Sequence, residues 1–246
     1  MSRDTETDDA VRNPAHRRRI RSFVHRPGRL TPAQRRALEQ LLPAYQVPPE
    51  LRDLRRAFER PAELVVEIGF GNGTALAWMA ERESERNFVG IEVHDPGVGR
   101  LLNALEDKDL SNVRIAKADA VEVLEHQAVA ASIDEIRIYF PDPWPKKRHH
   151  KRRLIQPEFL ELLSARLKPG GLLHLATDWA PYAEWMVEVV AATPSLVNQG
   201  SPFVERPPWR PSTHFERRGQ KRGHEIFDLL LKRASANPMT NADQLR

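Results

Sequence analysis

Three acids and a glycine-rich turn carry the first chemical signal in this 246-residue chain. An apolar run, Leu64–Ile68, leads into Gly69-Phe70-Gly71-Asn72-Gly73, with Glu67 at the penultimate position of the run. Glycine at such a turn lets the backbone approach a ligand where a Cβ would intrude. The G-x-G-x-G spacing departs from the G-x-G-x-x-G pattern of dinucleotide sites. A carboxylate at the mouth of the turn would repel a pyrophosphate but suits a ligand bearing an ammonium and a sulfonium. Glu92 closes a second apolar run about 20 residues after the glycines, where an acid can accept both ribose hydroxyls. Asp119 follows a third run, in reach of an adenine amino group. Together with Gly69, Gly71 and Gly73, these acids point to S-adenosylmethionine and away from a nicotinamide oxidoreductase.

A second constellation lies further along. The run Ile136–Phe140 ends at Pro141-Asp142-Pro143-Trp144-Pro145. Three prolines stiffen this segment and remove amide donors, so Asp142 is expected as a carboxylate fixed in position. Lys146-Lys147-Arg148-His149-His150-Lys151-Arg152-Arg153 follow at once. A rigid acid followed by six cations fits a site where a nucleotide base enters while its phosphates are held alongside. Trp144 can stack on that base or belong to the core. Asp178, in Ala176-Thr177-Asp178-Trp179, can recognise the base or cap the helix ahead of Pro181. His149 and His150 sit among cations, so no metal is expected there. His94 reads as close to the ligand or merely exposed, and Trp78, Trp179 and Trp185 as core.

The elements that must position these groups alternate regularly. Leu64–Ile68, Phe88–Val93, Val113–Ala116, Glu135–Phe140 and Leu172–Ala176 read as strands. Helical patterns near Ala75–Glu83, Leu101–Leu105, Val121–His126, Pro157–Leu167 and Tyr182–Ala192 separate or follow them. This alternation predicts an α/β fold, a doubly wound and mostly parallel sheet covered on both faces. Glu225–Leu231 reads as one more strand after a long polar connection, Glu205–Gly223. Upstream, Thr31-Pro32-Ala33-Gln34 is a capping box with proline at the first helical position. Leu38, Leu41 and Leu42 are expected as that helix's apolar stripe and Pro43 as its end. Residues 1–19 and 234–246 read as disordered tails, 20–61 as an arm and helix, and 62–233 as the main domain.

Composition narrows the class. The chain is 40% hydrophobic and 29% charged and has no cysteine, which excludes a disulfide scaffold, a Cys-ligated zinc site and thiol chemistry. No apolar run approaches the ~18 residues of a membrane span. No apolar segment follows the polar N-terminus as a secretory signal would, and the expectation is a soluble cytoplasmic protein. The net charge of +4 is unevenly spread: residues 11–30 carry +7 and residues 146–153 carry +6, leaving the rest at −9. An acidic body with two concentrated basic segments implies a polyanionic partner.

At these residues the chain resembles the bacterial tRNA (guanine-N7)-methyltransferase family, a class I S-adenosylmethionine-dependent group. The resemblance runs through Arg21–Val24, Glu67–Gly73, Gly90–Val93, Phe140–Lys147, Thr177–Trp179 and Thr213–Gly219. It implies a Rossmann-like methyltransferase domain and methyl transfer from S-adenosylmethionine to N7 of a guanine in the variable loop of tRNA. Cofactor positions of the family fall on Glu67, Glu92, Asp119 and Asp142, and its catalytic aspartate on Asp142. Its substrate contacts fall on Lys146, Asp178, Thr213, His214, Phe215 and Glu216. Its RNA-interacting stretch falls on Arg148, His149, His150, Lys151, Arg152 and Arg153. The resemblance implies tRNA as partner; the residues themselves give no reason to expect a metal, a membrane or a protein partner.

Guanine N7 already carries an in-plane lone pair, so catalysis of this kind rests on positioning and electrostatics rather than on a strong base. Phosphate contacts from Lys146–Arg153 and the N-terminal arginines would offset an unstacking cost of a few kcal/mol. A methyltransferase of another class gives no reason for the proline-framed acid beside a basic run. An inactive RNA-binding scaffold gives none for three intact acids.

Overall fold

The computed structural model describes residues 28–235. The tail expected over residues 1–19, the Arg21–Val24 match, the arginines before Gly28 and residues 236–246 lie outside the described residues. Seven strands form one sheet: β1 (Leu64–Ile68), β2 (Asn87–Ile91), β3 (Val113–Ala116), β4 (Ile133–Tyr139), β5 (Leu167–Thr177), β6 (Leu196–Asn198) and β7 (Phe227–Arg233). Their order is β3-β2-β1-β4-β5-β7-β6, with β1 to β5 parallel and β7 antiparallel to both β5 and β6. The doubly wound α/β expectation holds, with an antiparallel edge.

The chain opens with α1 (Pro32–Gln40) and α2 (Leu42–Tyr45), and α3 (Thr74–Arg82), α4 (Asp95–Asp107), α5 (Ala120–Gln127), α6 (Pro157–Arg166) and α7 (Ala180–Ala191) cover the sheet. The capping box forms as expected: Thr31 Oγ1 accepts from the Gln34 amide and Gln34 Oε1 from the Thr31 amide. Pro43 does not end that helix. The helix closes at Leu41, and Pro43 sits in the first turn of α2, where a missing N–H costs nothing. Gln34 also donates to the Pro96 carbonyl at 3.1 Å, tying α1 to α4. None of the helices among the described residues is long and apolar enough to cross a membrane.

Strand alternation divides the core. Leu64, Val66 and Ile68 join a cluster under α5, α6 and α7, while Val65 joins another under α1, α3 and α4. Burial on both faces explains why these strands read as continuous apolar runs. The second face carries exceptions. Glu67 on β1, Glu135, Arg137 and Tyr139 on β4, His174 on β5 and Asp228 on β7 are all buried polar groups. They share one face by period-two spacing and by register, Glu67 opposite Arg137 and Arg137 opposite His174.

Other elements depart from expectation. Helix α4 starts at Asp95, six residues before the predicted Leu101, because Pro96, Gly97 and Gly99 hide its first turns from a pattern search. The three-residue β6 was not anticipated. Nor was α8 (His214–Gln220), whose seven residues bury only Glu216 and Gly219 and so carry no apolar stripe. The basic run after the proline loop winds into a 3-10 turn, Lys147–Arg152.

Candidate functional site

The strand order reverses between β1 and β4, and a cavity of about 360 Å³ opens at their carboxyl ends. Such switch points are where open α/β sheets take ligands. Glu67, Gly69 and Phe70 from β1 and its turn, Trp78 from α3, and Tyr139 and Phe140 from β4 line it. Ser212, Thr213, His214, Phe215 and Arg217 close it from the α8 side.

The glycine turn is built as the sequence requires. Gly69, Gly71 and Gly73 all take left-handed φ, at 73°, 59° and 71°. A Cβ on Gly69 would meet no atom within 4 Å, so the backbone there faces open space. A Cβ on Gly73 would lie 2.5 Å from Leu101, so that glycine serves packing against α4. Glu92 receives the turn: its Oε2 accepts from the Gly71 amide at 3.0 Å, and its Oε1 accepts from Val93 and His94.

Glu67 is 3% exposed, and its Oε2 has no hydrogen-bond partner among the described residues. Burial raises its carboxyl from 4.5 to about 7, against the lowering pull of Arg137 and with a further rise from Glu92. Arg137 is itself engaged, donating from Nε to Glu135 at 2.6 Å. The result is a desolvated acid with an orphaned oxygen lining an open cavity, an arrangement that a cationic ligand would satisfy. The glycine cradle and this acid therefore fit the ammonium and sulfonium of S-adenosylmethionine.

The other predicted residues separate into groups. Gly69, Glu67, Thr213, His214 and Phe215 meet in the cavity. Gly71, Gly73 and Glu92 support its floor. Asp119 caps α5, its Oδ1 accepting from Val121 at 2.8 Å. Glu216 does not face the cavity. Only 2% exposed, it closes a capping box with Thr213 and pairs with Arg210 at 2.7 Å. Asp178 is not the cap of α7, where Trp179 takes that place; its Oδ2 lies 3.2 Å from His224 Nδ1 instead.

Asp142 is exposed on a loop whose flanking residues Phe140 and Trp144 take φ of 53° and 45°. Left-handed backbone at two non-glycine residues costs about 1–3 kcal/mol each and marks a loop held by its surroundings. Arg153 supplies part of that hold. It is buried, donates from Nε to the Pro143 carbonyl at 3.0 Å, and lies over the Tyr182 ring at 4.8 Å. The expectation that Arg153 faces RNA with its neighbours is therefore corrected: packing against the proline loop takes it inward. Lys146, Lys147, Arg148, Lys151 and Arg152 remain exposed. Trp144 lies outside both core clusters, half-buried under Arg152 at 5.0 Å and edge-on to His149 at 5.7 Å. Partial burial, with Arg148, Arg152, Lys146 and Lys151 around it, holds the His149 imidazole below its ordinary pKa. His150 Nε2 lies 3.2 Å from Arg153, and its carbonyl accepts from Gln156.

Sequence reasoning missed the buried polar seam beside the cavity. Tyr139 Oη meets His174 Nδ1 at 3.0 Å, and His174 Nε2 meets Asp228 at 2.7 Å. Arg210 then bridges Asp228, at 2.9 Å, to Glu216. Trp78, read as core, is half-buried against the cavity, with the Arg82 guanidinium 4.0 Å over its ring.

Comparison with known proteins bears on this site. Residues 61–229 match the family model Methyltransf_4, described as "Putative methyltransferase". A tRNA (guanine-N(7)-)-methyltransferase of Xanthomonas euvesicatoria pv. vesicatoria is 57% identical over 223 residues, which cover 89% of this chain and 65% of that protein. The protein of the same name from Xanthomonas oryzae pv. oryzae strain MAFF 311018 is 54% identical over 241 residues, covering 94% of this chain and 96% of that one. Among solved structures, the 16S rRNA methyltransferase KamB shares the fold with a TM-score of 0.52 at 16% identity, over 73% of this chain and 90% of that chain. The glycine cradle, the desolvated acid and identity at this level along nearly the whole chain lead to one conclusion: the chain belongs to the tRNA (guanine-N7)-methyltransferase family.

Proposed function

We propose that this protein transfers a methyl group from S-adenosylmethionine to N7 of a guanine in tRNA, and that the guanine lies in the variable loop. The observation that carries the donor half is Glu67, a buried carboxylate with one oxygen unpartnered at the edge of an open cavity. The activity named for its tRNA (guanine-N(7)-)-methyltransferase relatives supports the acceptor half. The donor supplies an electrophilic methyl on a sulfonium; everything else falls to the chain.

Glu67 holds the cationic end of the donor, and Gly69 leaves room for it. Glu92 stands at the end of β2 for the ribose hydroxyls and Asp119 at the end of β3 for the adenine. Thr213, His214 and Phe215 form the wall against which the base rests, with Asp178 and Lys146 as further substrate contacts. Asp142 orients the guanine through its N–H groups and offsets the positive charge that develops on the purine. N7 attacks the methyl carbon with its own lone pair as the S–CH3 bond breaks and the neutral thioether leaves, so no proton need leave before transfer. Lys147, Arg148, Lys151 and Arg152 hold tRNA phosphates while the base leaves its stack, and Trp144 offers a stacking face. The soluble cytoplasm, where tRNA matures, is the proposed location.

The test is transfer of labelled methyl to bulk tRNA lacking this modification, with the product mapped by cleavage at 7-methylguanosine. Label at N7 of one variable-loop guanine is the expected result. Label elsewhere, or none, overturns the proposal.

A further inference from the structure

We infer that α8 carries a second tRNA-backbone surface, formed by Arg218, Lys221 and Arg222. The inference rests on the proposed function and names a further part of the chain that the tRNA touches.

The helix has two faces with different duties. Glu216 and Gly219 point inward, Glu216 onto Arg210 and Gly219 onto Asp178, whose Oδ2 lies 2.5 Å from where a glycine Cβ would stand. Residues four and seven positions apart share a helical face, which places His214, Arg218 and Lys221 in one line away from the core. Arg217 and Arg222 flank that line, and all five side chains are exposed.

Some exposed lysines and arginines of this acid-rich body find carboxylates, Lys108 with Glu81, Lys168 with Asp134, Lys117 with Asp95 and Arg55 with Asp53, whereas others, Arg35, Arg36, Arg56 and Arg100 among them, stand exposed without an ion pair to any described residue. The side chains of Arg218, Lys221 and Arg222 make no hydrogen bond or ion pair to any described residue, although the Lys221 and Arg222 amides close the end of the helix. The helix's own acid, Glu216, is buried and neutralised by Arg210, and Asp178 faces His224. Glu225 is the exposed acid that follows. Two aromatic side chains stand exposed on the same segment, Trp209 at 43% and Phe215 at 50%. Unpaired cations beside exposed rings suit a nucleic acid, whose phosphates take the charge and whose bases take the rings.

The position fits the same partner. The first turn of α8 and its cap line the cavity through Thr213, His214 and Phe215, while Arg218 stands in its last turn and Lys221 and Arg222 follow at its C-terminal end. A phosphate held at Arg218 or Lys221 therefore lies about one helical turn from the wall that receives the base. Arg153 binds the 3-10 turn to the start of α7 through the Pro181 carbonyl. Asp178, three residues before Pro181, contacts α8. The segment from Asp178 to Pro181 thus stands between two basic surfaces, and an RNA strand lying over it touches both.

The test uses the full chain carrying Arg218→Gln, Lys221→Gln and Arg222→Gln together, against the unchanged protein. Binding to unmodified tRNA is measured from about 50 to 300 mM KCl, where each phosphate contact contributes about 0.7–0.9 to the slope of log K against log salt. The expected result is a slope shallower by about 2, a KM for tRNA raised at least about tenfold, and unchanged kcat and donor affinity. A triple variant with the original slope and KM overturns the surface while leaving the proposed function intact. An unchanged protein that binds no tRNA overturns the proposed function itself, and the α8 surface with it. Weakened donor binding in the variant also counts against the inference, because it would reveal a role in shaping the cavity instead.

Discussion

Arg210 and Glu216 meet at 2.7 Å with almost no solvent on either, the arginine 1% and the glutamate 2% exposed. The same guanidinium holds Asp228 on β7 at 2.9 Å, and Asp228 holds His174, which holds Tyr139 in the cavity wall. A chain of buried polar contacts thus joins the helix that closes the cavity to the strands that floor it. Low local dielectric makes such a network strong when complete and costly when broken.

Breaking it at the centre gives the first prediction. Arg210→Met removes the buried cation between Asp228 and Glu216, leaving Glu216 only the exposed Arg206 at 3.3 Å, a loss of about 3–5 kcal/mol. Arg210→Lys keeps the charge but cannot reach both carboxylates in a planar fork. Urea unfolding is expected to rank the proteins as unchanged, then lysine, then methionine. An unaltered midpoint for Arg210→Met would mean that the seam does not hold α8 in place.

Glu67 supplies a pH signature. Its carboxyl is raised to about 7 in the fold, chiefly by burial, from an ordinary value of 4.5. Below both values the folded and unfolded states hold the proton alike, and the residue costs nothing. As pH rises through the interval, the unfolded chain ionises first, so stability of the donor-free protein falls, by about 3 kcal/mol in all, and levels off above about pH 7. Glu67→Gln is expected to remove that decline and to stabilise the donor-free protein at about pH 8 while weakening donor binding at least tenfold. Calorimetry in buffers of different ionisation heat gives the complementary reading: donor binding at about pH 6 releases up to about one proton, and at about pH 9 almost none.

Two glycines separate room for ligand from room for protein. A Cβ on Gly97 of α4 would stand 2.0 Å from the Gly71 carbonyl oxygen, a backbone atom that must move with the whole turn. Gly97→Ala is expected to lose both stability, by about 1–3 kcal/mol, and donor affinity. A Cβ on Gly69 meets nothing within 4 Å, although φ is 73° there. Gly69→Ala is expected to cost about 1–2 kcal/mol of stability from the left-handed backbone, with a larger effect on donor binding. Thermal unfolding set beside donor titration distinguishes the two. Equal binding losses at equal stability would contradict the open face of the cradle.

The contrast between these glycines shows what could be read beforehand. Gly69, Gly71, Gly73, Glu67 and Glu92 sit within one strand–turn–helix unit and the strand beside it, where spacing alone predicts the layout. Gly97 contacts Gly71 across the fold, and nothing local marks it. The parallel order of β1 to β5 was legible because each strand is an apolar run buried on both faces. The seam from Tyr139 to Glu216 was not, because its five members come from β4, β5, β7, a proline-rich loop and α8 and meet only through tertiary packing. Glu216 shows the difference sharply: the resemblance placed it at the substrate, whereas the capping box with Thr213 and the pairing with Arg210 turn its carboxylate inward. Arg153 belongs to the basic run by sequence and to the proline loop by packing.

That loop carries the last prediction. Asp142 stands between Phe140 and Trp144, both held at positive φ, with three prolines around it and Arg153 braced on the Pro143 carbonyl. Such a frame fixes where the carboxylate is before any substrate arrives, and preorganised charge is worth most when nothing has to move at the moment of reaction. Methyl transfer to N7 moves positive charge onto the purine, so a fixed carboxylate stabilises the transition state more than the neutral base that precedes it. Asp142→Asn keeps size and hydrogen-bonding shape but removes the charge. The expected outcome in single-turnover transfer is a rate lower by about 10²-fold, with donor affinity within about twofold of the unchanged protein. Asp142→Glu restores the charge on a longer arm and is expected to recover only part of the rate, since the frame was built for the shorter side chain. An Asp142→Asn protein that matches the unchanged rate would leave the loop's strain without a catalytic purpose and move the electrostatic role to another acid near the base, with Asp178 the first to test.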